Sequence, residues 1–190
     1  MNETDLVKKI MEESVSAKKD FLNQAENIYR AACLITNSFK CGNKLLVFGN
    51  GGSAADSQHI AGELVGRYKL ERKGLPAVAL TTDTSVLTAW SNDYNFTGVF
   101  ERQVEALAKK GDVLMGLSTS GNSENVYRAF KCGRDIGTLN ISLTGNTGGK
   151  IRELSDININ SYSGETPRIQ ECHVLAYHII CELVEKEMFR

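Results

Sequence analysis

The stretch Leu45-Leu46-Val47-Phe48-Gly49-Asn50-Gly51-Gly52-Ser53 decides the fold, because an apolar strand pattern leads through glycines and a serine into a helical pattern. The same arrangement recurs where the apolar run 113–117 leads into Ser118-Thr119-Ser120-Gly121-Asn122-Ser123. A strand-to-helix junction of this kind points unpaired backbone N–H groups and the positive end of a helix dipole at one spot. Because the serine hydroxyls add further donors, these loops predict a phosphate-binding site.

Outward from these two junctions, the chain alternates between strand and helix patterns. Strands are predicted at 44–48, 77–81, 113–117, 139–143 and 157–160, and helices at 53–67 and 167–188. Such alternation indicates βαβ units and a parallel sheet covered by helices on both faces. Ligands of such sheets bind beyond the carboxyl ends of the strands, where both loops lie, so the fold predicts one shared site.

The first 40 residues form a helical extension before the first strand. From about Asp5 to Ser38 an apolar face repeats at helical spacing, and it contains Leu6, Ile10, Phe21, Ile28, Ala31, Ala32 and Ile35. These apolar positions exceed what one layer over a sheet would bury, whereas a four-helix core between subunits would use them. We therefore predict a single domain over 1–190 in which 1–40 contribute to subunit contacts.

Composition and charge exclude several classes of function. The 22 Lys and Arg residues nearly balance the 23 Asp and Glu residues, and the net charge of −1 argues against a broad nucleic-acid or membrane footprint. No apolar run is long enough to span a bilayer, and the charged N-terminus does not resemble a signal peptide. Five scattered cysteines without CxxC spacing predict reduced thiols, so we expect a cytoplasmic protein.

The first loop is open to other interpretations. Residues 49–54 match G-x-G-x-x-A, and Asp83 lies roughly where a dinucleotide fold carries its ribose-binding acid. This interpretation leaves the second loop without a role, and the Gly-Lys-Ser/Thr of a P-loop is absent from the sequence, so we expect no nucleotide cofactor. Glycines that simply make a tight turn remain an alternative for the first loop. The four hydroxyl residues within 118–123 exceed what a turn requires.

Two pairs of polar side chains follow helical spacing. His59 and Glu63 stand four residues apart, and Gln170 and His178 stand eight apart, so each pair shares a helix face. A solvated surface pair and a core histidine are the ordinary structural explanations. An imidazole on the apolar face around His178 is costly without a partner, and a carboxylate from another helix would be one such partner. His173 receives no predicted role.

Four motifs together closely resemble the phosphoheptose isomerase (sedoheptulose 7-phosphate isomerase) family of the sugar-isomerase (SIS) domain superfamily. They are the loop and helix at 49–68, Ser91-Asn92-Asp93-Tyr94, the loop at 118–123, and Arg168-Ile169-Gln170-Glu171. The resemblance covers nearly the whole chain and keeps the order of the motifs. The serine loop alone marks the superfamily, whereas the glutamate, histidine and glutamine positions mark the enzyme family.

The resemblance implies a fold, an activity and an assembly. The fold is a three-layer, flavodoxin-like α/β sandwich with a central parallel sheet. The activity is the aldose–ketose isomerisation of sedoheptulose 7-phosphate to D-glycero-D-manno-heptose 7-phosphate through an enediol, the first step towards bacterial heptose nucleotides. The assembly is a homotetramer with sites shared between subunits.

The resemblance also implies roles for individual residues. Phosphate would be held by Ser118, Thr119, Ser120 and Ser123. Sugar contacts would come from Asn50, Gly51, Gly52, Ser53, Arg67, Asn92, Asp93 and Gln170. Glu63 and His178 would be the acid–base pair. One zinc ion per subunit would be bound by His59, Glu63, Gln170 and His178.

A non-catalytic binding module is the main alternative. The same superfamily includes sugar-phosphate sensor domains and a bacterial adaptor that binds the replication initiator. That adaptor lacks the glutamate and the histidine that correspond to Glu63 and His178. Because this chain carries both, the resemblance favours an enzyme.

Overall fold

The computed structural model describes residues 2–190, and its centre is a five-stranded sheet. The strands are β1 (Leu45–Gly49), β2 (Ala77–Ala79), β3 (Val113–Ser118), β4 (Leu139–Gly145) and β5 (Ile157–Ser161). Their order is β2-β1-β3-β4-β5, and every neighbouring pair is parallel. The parallel sheet is therefore confirmed, and the order reverses between β1 and β3, where such sheets bind ligands.

Seven helices surround the sheet in the described part of the chain. They are α1 (Glu3–Asp20), α2 (Ala25–Lys40), α3 (Gly52–Val65), α4 (Thr84–Asp93), α5 (Val99–Leu107), α6 (Glu124–Ile136) and α7 (Thr166–Met188). A 3-10 turn at Phe21–Gln24 separates α1 from α2 within the predicted helical extension. None of the helices described for residues 2–190 is long and apolar enough to cross a membrane.

The interpretation of Asp83 as a ribose-binding acid is not supported by its place in the structure. Its side chain caps α4 by accepting a hydrogen bond from the amide of Val86 at 3.1 Å. An aspartate at an N-cap satisfies an otherwise unpaired helix donor, so its occurrence after β2 has a local cause. The predicted strand at 77–81 also ends earlier, at Ala79.

The sheet separates two apolar cores, as the strand pattern predicts. Side chains alternate between the faces of a strand. Leu45 and Val47 of β1 pack in a core with α2, α3 and α7, whereas Leu46 and Phe48 pack in a core with α5 and α6. The three-layer α/β sandwich is therefore confirmed, and both faces of β1 are buried.

Helix α1 lies largely outside these cores. It buries none of its residues, and Leu6 and Ile10 remain 45% and 42% exposed. Further along the extension, the five remaining predicted apolar positions are buried against the sheet layer; they are Phe21, Ile28, Ala31, Ala32 and Ile35. The predicted apolar face thus divides into a part that packs within the chain and a part that faces outward.

Candidate active site

The serine loop closes on itself at the carboxyl end of β3. The hydroxyl oxygens of Ser118 and Ser123 lie 2.8 Å apart, and the amide of Asn122 donates to the Ser120 hydroxyl at 3.1 Å. Ser123 is the N-cap of α6, but its hydroxyl does not bond to an amide of the first helical turn. In the first turn of α6 the amide of Val126 bonds to Asn125 Oδ1 at 3.0 Å, and the positive end of the helix dipole still favours an anion at its other amides.

Gly121 lets the serine loop pack directly against a neighbouring turn. Its φ of +66° lies in the left-handed region that favours glycine. A Cβ placed on Gly121 would lie 2.1 Å from the carbonyl oxygen of Gly148. Backbone therefore contacts backbone here, and the amide of Ile151 also donates to the carbonyl of Gly121 at 3.0 Å. The glycine-rich turn at 145–149 thus supports the serine loop.

The two predicted loops lie side by side. The side-chain amides of Asn50 and Asn125 exchange two hydrogen bonds of 2.9 Å, which join the first loop to the start of α6. Helix α7 also reaches the first loop, because a Cβ on Gly52 would lie 2.5 Å from Nε2 of Gln170. The structure therefore brings both loops and α7 to one edge of the sheet.

The ionisable residues of α3 and α7 meet where these two helices pack against each other. His59 Nε2 lies 2.9 Å from Glu63 Oε1, and the ring centroid of His178 is 5.0 Å from that of His59. The ligand atoms of His59, Glu63 and His178 all lie within 4.8 Å of one another. Glu63 is thus a carboxylate from another helix that lies near His178. Two imidazoles and a carboxylate form a donor set that suits zinc.

Two further residues extend this cluster, and the sequence analysis missed both. The hydroxyl of Tyr177 lies 2.9 Å from His59 Nδ1 and donates to Asp56 Oδ1 at 3.4 Å. Burial raises the pKa of Tyr177, so the hydroxyl keeps its proton. Asp56 lies three residues before His59, so helical spacing was a signal that could have found it.

The core histidine of this chain is His173 rather than His178. His173 is fully buried, and its Nε2 lies 3.0 Å from the carbonyl oxygen of Thr144. Burial lowers the pKa of His173 to about 4. His178 is only partly buried. The sequence analysis considered a core position for His178. The structure places His173 there instead, the histidine for which no role was predicted.

Three predicted sugar contacts make no hydrogen bond to this cluster among residues 2–190. Arg67 is exposed, with Nε 3.6 Å from Glu71 Oε2. Asn92 and Asp93 are exposed at the end of α4, where Asn92 donates to Asp93 at 2.9 Å. Among residues 2–190, no hydrogen bond joins these three side chains to the serine loop or to α7. Their contact with the sugar stays a prediction.

Comparisons with known proteins show which family the chain resembles. A family model of the SIS domain matches residues 9–145. The chain is 52% identical to the phosphoheptose isomerase of Aliarcobacter butzleri over 183 residues, which cover 96% of this chain and 97% of that protein. It is 55% identical to the phosphoheptose isomerase of Aquifex aeolicus over 181 residues, which cover 95% of each chain.

Solved structures share this fold. A phosphoheptose isomerase from Neisseria gonorrhoeae superposes with a TM-score of 0.93 at 43% identity, over 97% of this chain and all of that one. A phosphoheptose isomerase from Francisella tularensis superposes with a TM-score of 0.94 at 35% identity, over 98% of this chain and all of that one.

Proposed function

The chain belongs to the phosphoheptose isomerase family of the SIS-domain superfamily, and from that membership we propose how its site works. The reaction is the isomerisation of sedoheptulose 7-phosphate to D-glycero-D-manno-heptose 7-phosphate. The observation that carries the proposal is that Glu63 of α3 and His178 of α7 meet in one cluster of ionisable side chains. The experiment that tests it follows this conversion by NMR for the native enzyme and for Glu63→Gln.

Glu63 is the base that moves the proton between carbons. Its carboxylate takes a proton from C1 of the ketose, and the electrons of that C–H bond form the double bond of an enediol. The carboxyl group then returns the proton to C2. His178 gives a proton to the carbonyl oxygen at C2 and takes one from the hydroxyl at C1. An imidazole suits both transfers because its unperturbed pKa is near neutrality.

The serine loop holds the remote end of the substrate. We assign the phosphate to the positive end of α6 and to the hydroxyls of Ser118, Thr119, Ser120 and Ser123. The sugar contacts are assigned to the first loop, to Gln170, and to Arg67, Asn92 and Asp93. Binding energy gained at the phosphate orients the reacting carbons against Glu63 and His178, and this orientation raises the rate of the chemical step.

The cluster also fits a zinc ion. We assign His59, Glu63 and His178 as its ligands, with Gln170 as the fourth. Zinc held there would polarise the carbonyl and stabilise the negative charge that develops on its oxygen. The assignment rests on the donor set and on the 4.8 Å spacing of the three ionisable side chains.

Zinc content tests this assignment. We expect elemental analysis of the native enzyme to find about one zinc per chain, and we expect His59→Ala to lower the zinc affinity by more than ~100-fold, because a direct ligand is lost. The control is Gln58→Ala, which changes an exposed neighbour on the same helix and should keep the zinc. Metal-free native enzyme with activity insensitive to chelation would remove zinc from the mechanism.

Assembly into a homotetramer is proposed from the exposed side of α1. Leu6, Val7, Ile10, Met11 and Val15 are all more than 40% exposed, which favours burial against other subunits. Sedimentation at micromolar concentration should therefore show a four-chain species. Met11→Asp should shift it towards smaller species, whereas Lys8→Asp, on the same exposed helix, should shift it less. A native monomer would contradict the proposal.

The cytoplasm is the proposed location. All five cysteines are free thiols in the structure, as a reducing compartment would keep them. The small sugar phosphate is the proposed ligand, and no role for nucleic acid or a membrane is proposed.

A further inference from the structure

Glu63 lies in the last turn of α3, where the hydrogen bonding of the helix is incomplete. The helix ends at Val65, only two residues after Glu63. The carbonyl groups of a last helical turn have no amide partner in the helix, so this turn frays unless something else satisfies them. A proposed base whose carboxylate must be placed against a substrate carbon therefore needs support from outside the helix.

Arg72 supplies this support from the segment that follows α3. Its guanidinium donates to the carbonyl oxygens of Glu63 at 2.8 Å, Leu64 at 2.8 Å and Gly66 at 3.2 Å. The side chain is only 1% exposed. The guanidinium thus caps the C-terminal end of α3, and one of its bonds goes to the main chain of Glu63 itself.

Glu185 holds Arg72 and its segment against α7. Its Oε2 accepts from Nε of Arg72 at 2.8 Å and from the amide of Tyr68 at 3.0 Å. Its Oε1 accepts from the amides of Lys69 and Leu70, each at 2.8 Å. The carboxylate is 2% exposed, so these four bonds satisfy a buried charge. Burial would raise the pKa of Glu185, but these hydrogen bonds outweigh it and lower the pKa.

The pair connects the two helices that carry the proposed acid–base residues. Glu185 follows His178 by seven residues on α7, so both lie on the same helix face. The segment that Glu185 binds also places the ring of Tyr68 beside His178, with centroids 5.8 Å apart. One end of the pair therefore fixes Glu63, and the other end is anchored to the helix of His178.

We propose that Arg72 and Glu185 are a positioning pair that sets Glu63 of α3 against His178 of α7. The proposal rests on the proposed roles of Glu63 and His178. Neither member of the pair touches the reacting carbons, and both act through the helices they join. The fork of the guanidinium is essential, because one group must reach Glu185 and the end of α3 at the same time.

Arg72→Lys tests the positioning role. Lysine keeps the positive charge opposite Glu185, but its single ammonium cannot make both sets of bonds. We expect kcat to fall by about 10–100-fold, as for a small displacement of a catalytic group. KM should change by less than ~3-fold, because the serine loop is untouched. Hydrogen exchange in the peptide 60–67 should become faster in the folded enzyme.

Lys69→Ala is the matched control. Lys69 and Glu182 form an ion pair of 2.6 Å that joins the same segment to the same helix. Both side chains are partly exposed, so the pair contributes little to stability. Its removal leaves the guanidinium and its bonds in place, and kcat and exchange in 60–67 should match those of the native enzyme.

The outcomes distinguish the proposed base role of Glu63 from the positioning role of Arg72 and Glu185. If Glu63→Gln is inactive while folded Arg72→Lys retains native kcat, the positioning role is wrong and the proposed base stands. If Glu63→Gln itself keeps native turnover, the proposed base is wrong and the positioning role falls with it. Circular dichroism at the assay temperature measures the fraction of the variant that is unfolded. If kcat falls only in proportion to that fraction, the positioning role is also wrong. If Arg72→Lys does not fold, Glu185→Gln replaces it in the same experiment. Glutamine keeps the side-chain volume of glutamate and one acceptor oxygen, and the same outcomes decide.

Discussion

Glu63→Gln is expected to lower kcat for sedoheptulose 7-phosphate by about 10²–10⁴-fold, the usual contribution of a general base. Glutamine has nearly the same shape as glutamate but cannot accept the proton from carbon. Since the carboxylate lies 2.9 Å from His59 Nε2, the substitution also removes a charge from the histidine cluster. Binding of the sugar phosphate should change much less, because its phosphate is assigned to the serine loop.

The measurement is NMR of the sugar phosphate during turnover, with zinc content determined in parallel so that a lost ligand is distinguished from a lost base. Glu105→Gln is the control, because this exposed carboxylate pairs with Arg102 on α5, outside the site. A variant as fast as the native enzyme would exclude Glu63 as the base. If even the native protein binds the substrate without converting it, the site is a binding module.

Gly121→Ala is expected to distort the serine loop, the proposed phosphate site, and to destabilise the fold. Left-handed strain at φ +66° and the clash of the new Cβ with the Gly148 carbonyl at 2.1 Å both oppose the substitution. Strain of about 1–2 kcal/mol and overpacking of about 1–3 kcal/mol together predict a loss of roughly 2–5 kcal/mol in the free energy of unfolding. We also expect KM to rise at least ~10-fold, because the serine hydroxyls follow the displaced backbone.

Gly42→Ala is the matched control for strain without a clash. Gly42 has a φ of +75°, and a Cβ there would meet no atom within 4 Å. It should therefore lose only about 1–2 kcal/mol from left-handed strain, with KM unchanged. Denaturant unfolding and steady-state kinetics measure both quantities. Equal effects of the two substitutions would show that the contact between the serine loop and the turn at 145–149 has no special importance.

The local sequence pattern was sufficient to predict the strands of the sheet and the loops that follow β1 and β3. Both faces of β1 and β3 are buried, so each strand appears as a continuous apolar run followed by glycine or hydroxyl residues. The helices α4, α5 and α6 were not assigned individually. In α4 no residue is fully buried, and Leu87 and Trp90 pack only partly buried against the core, so its apolar face is narrow. The role of Asp83 as its N-cap was visible only once the helix was known.

The residues of the site were predictable where they share one helix. Helical period places His59 with Glu63 and Gln170 with His178, but only tertiary structure shows that His178 of α7 meets His59 and Glu63 of α3. Arg72 and Glu185 stand 113 residues apart, and no local pattern couples them. Tyr177 was missed because a tyrosine within an apolar helix usually indicates core packing, and its ring is indeed buried.

Helix α7 brings Gln170 to Gly52 of the first loop and His178 to Glu63 of α3, partners that stand more than a hundred residues earlier in the chain. During synthesis, β1, β3 and the serine loop leave the ribosome before this helix does. A nascent or C-terminally shortened chain would therefore carry the serine loop and Glu63 without His178. It would also lack Cys172, Ala176 and Ile180, which complete the core over β1 and β3. A chain without α7 would therefore lack both the proposed partner of Glu63 and a closed core.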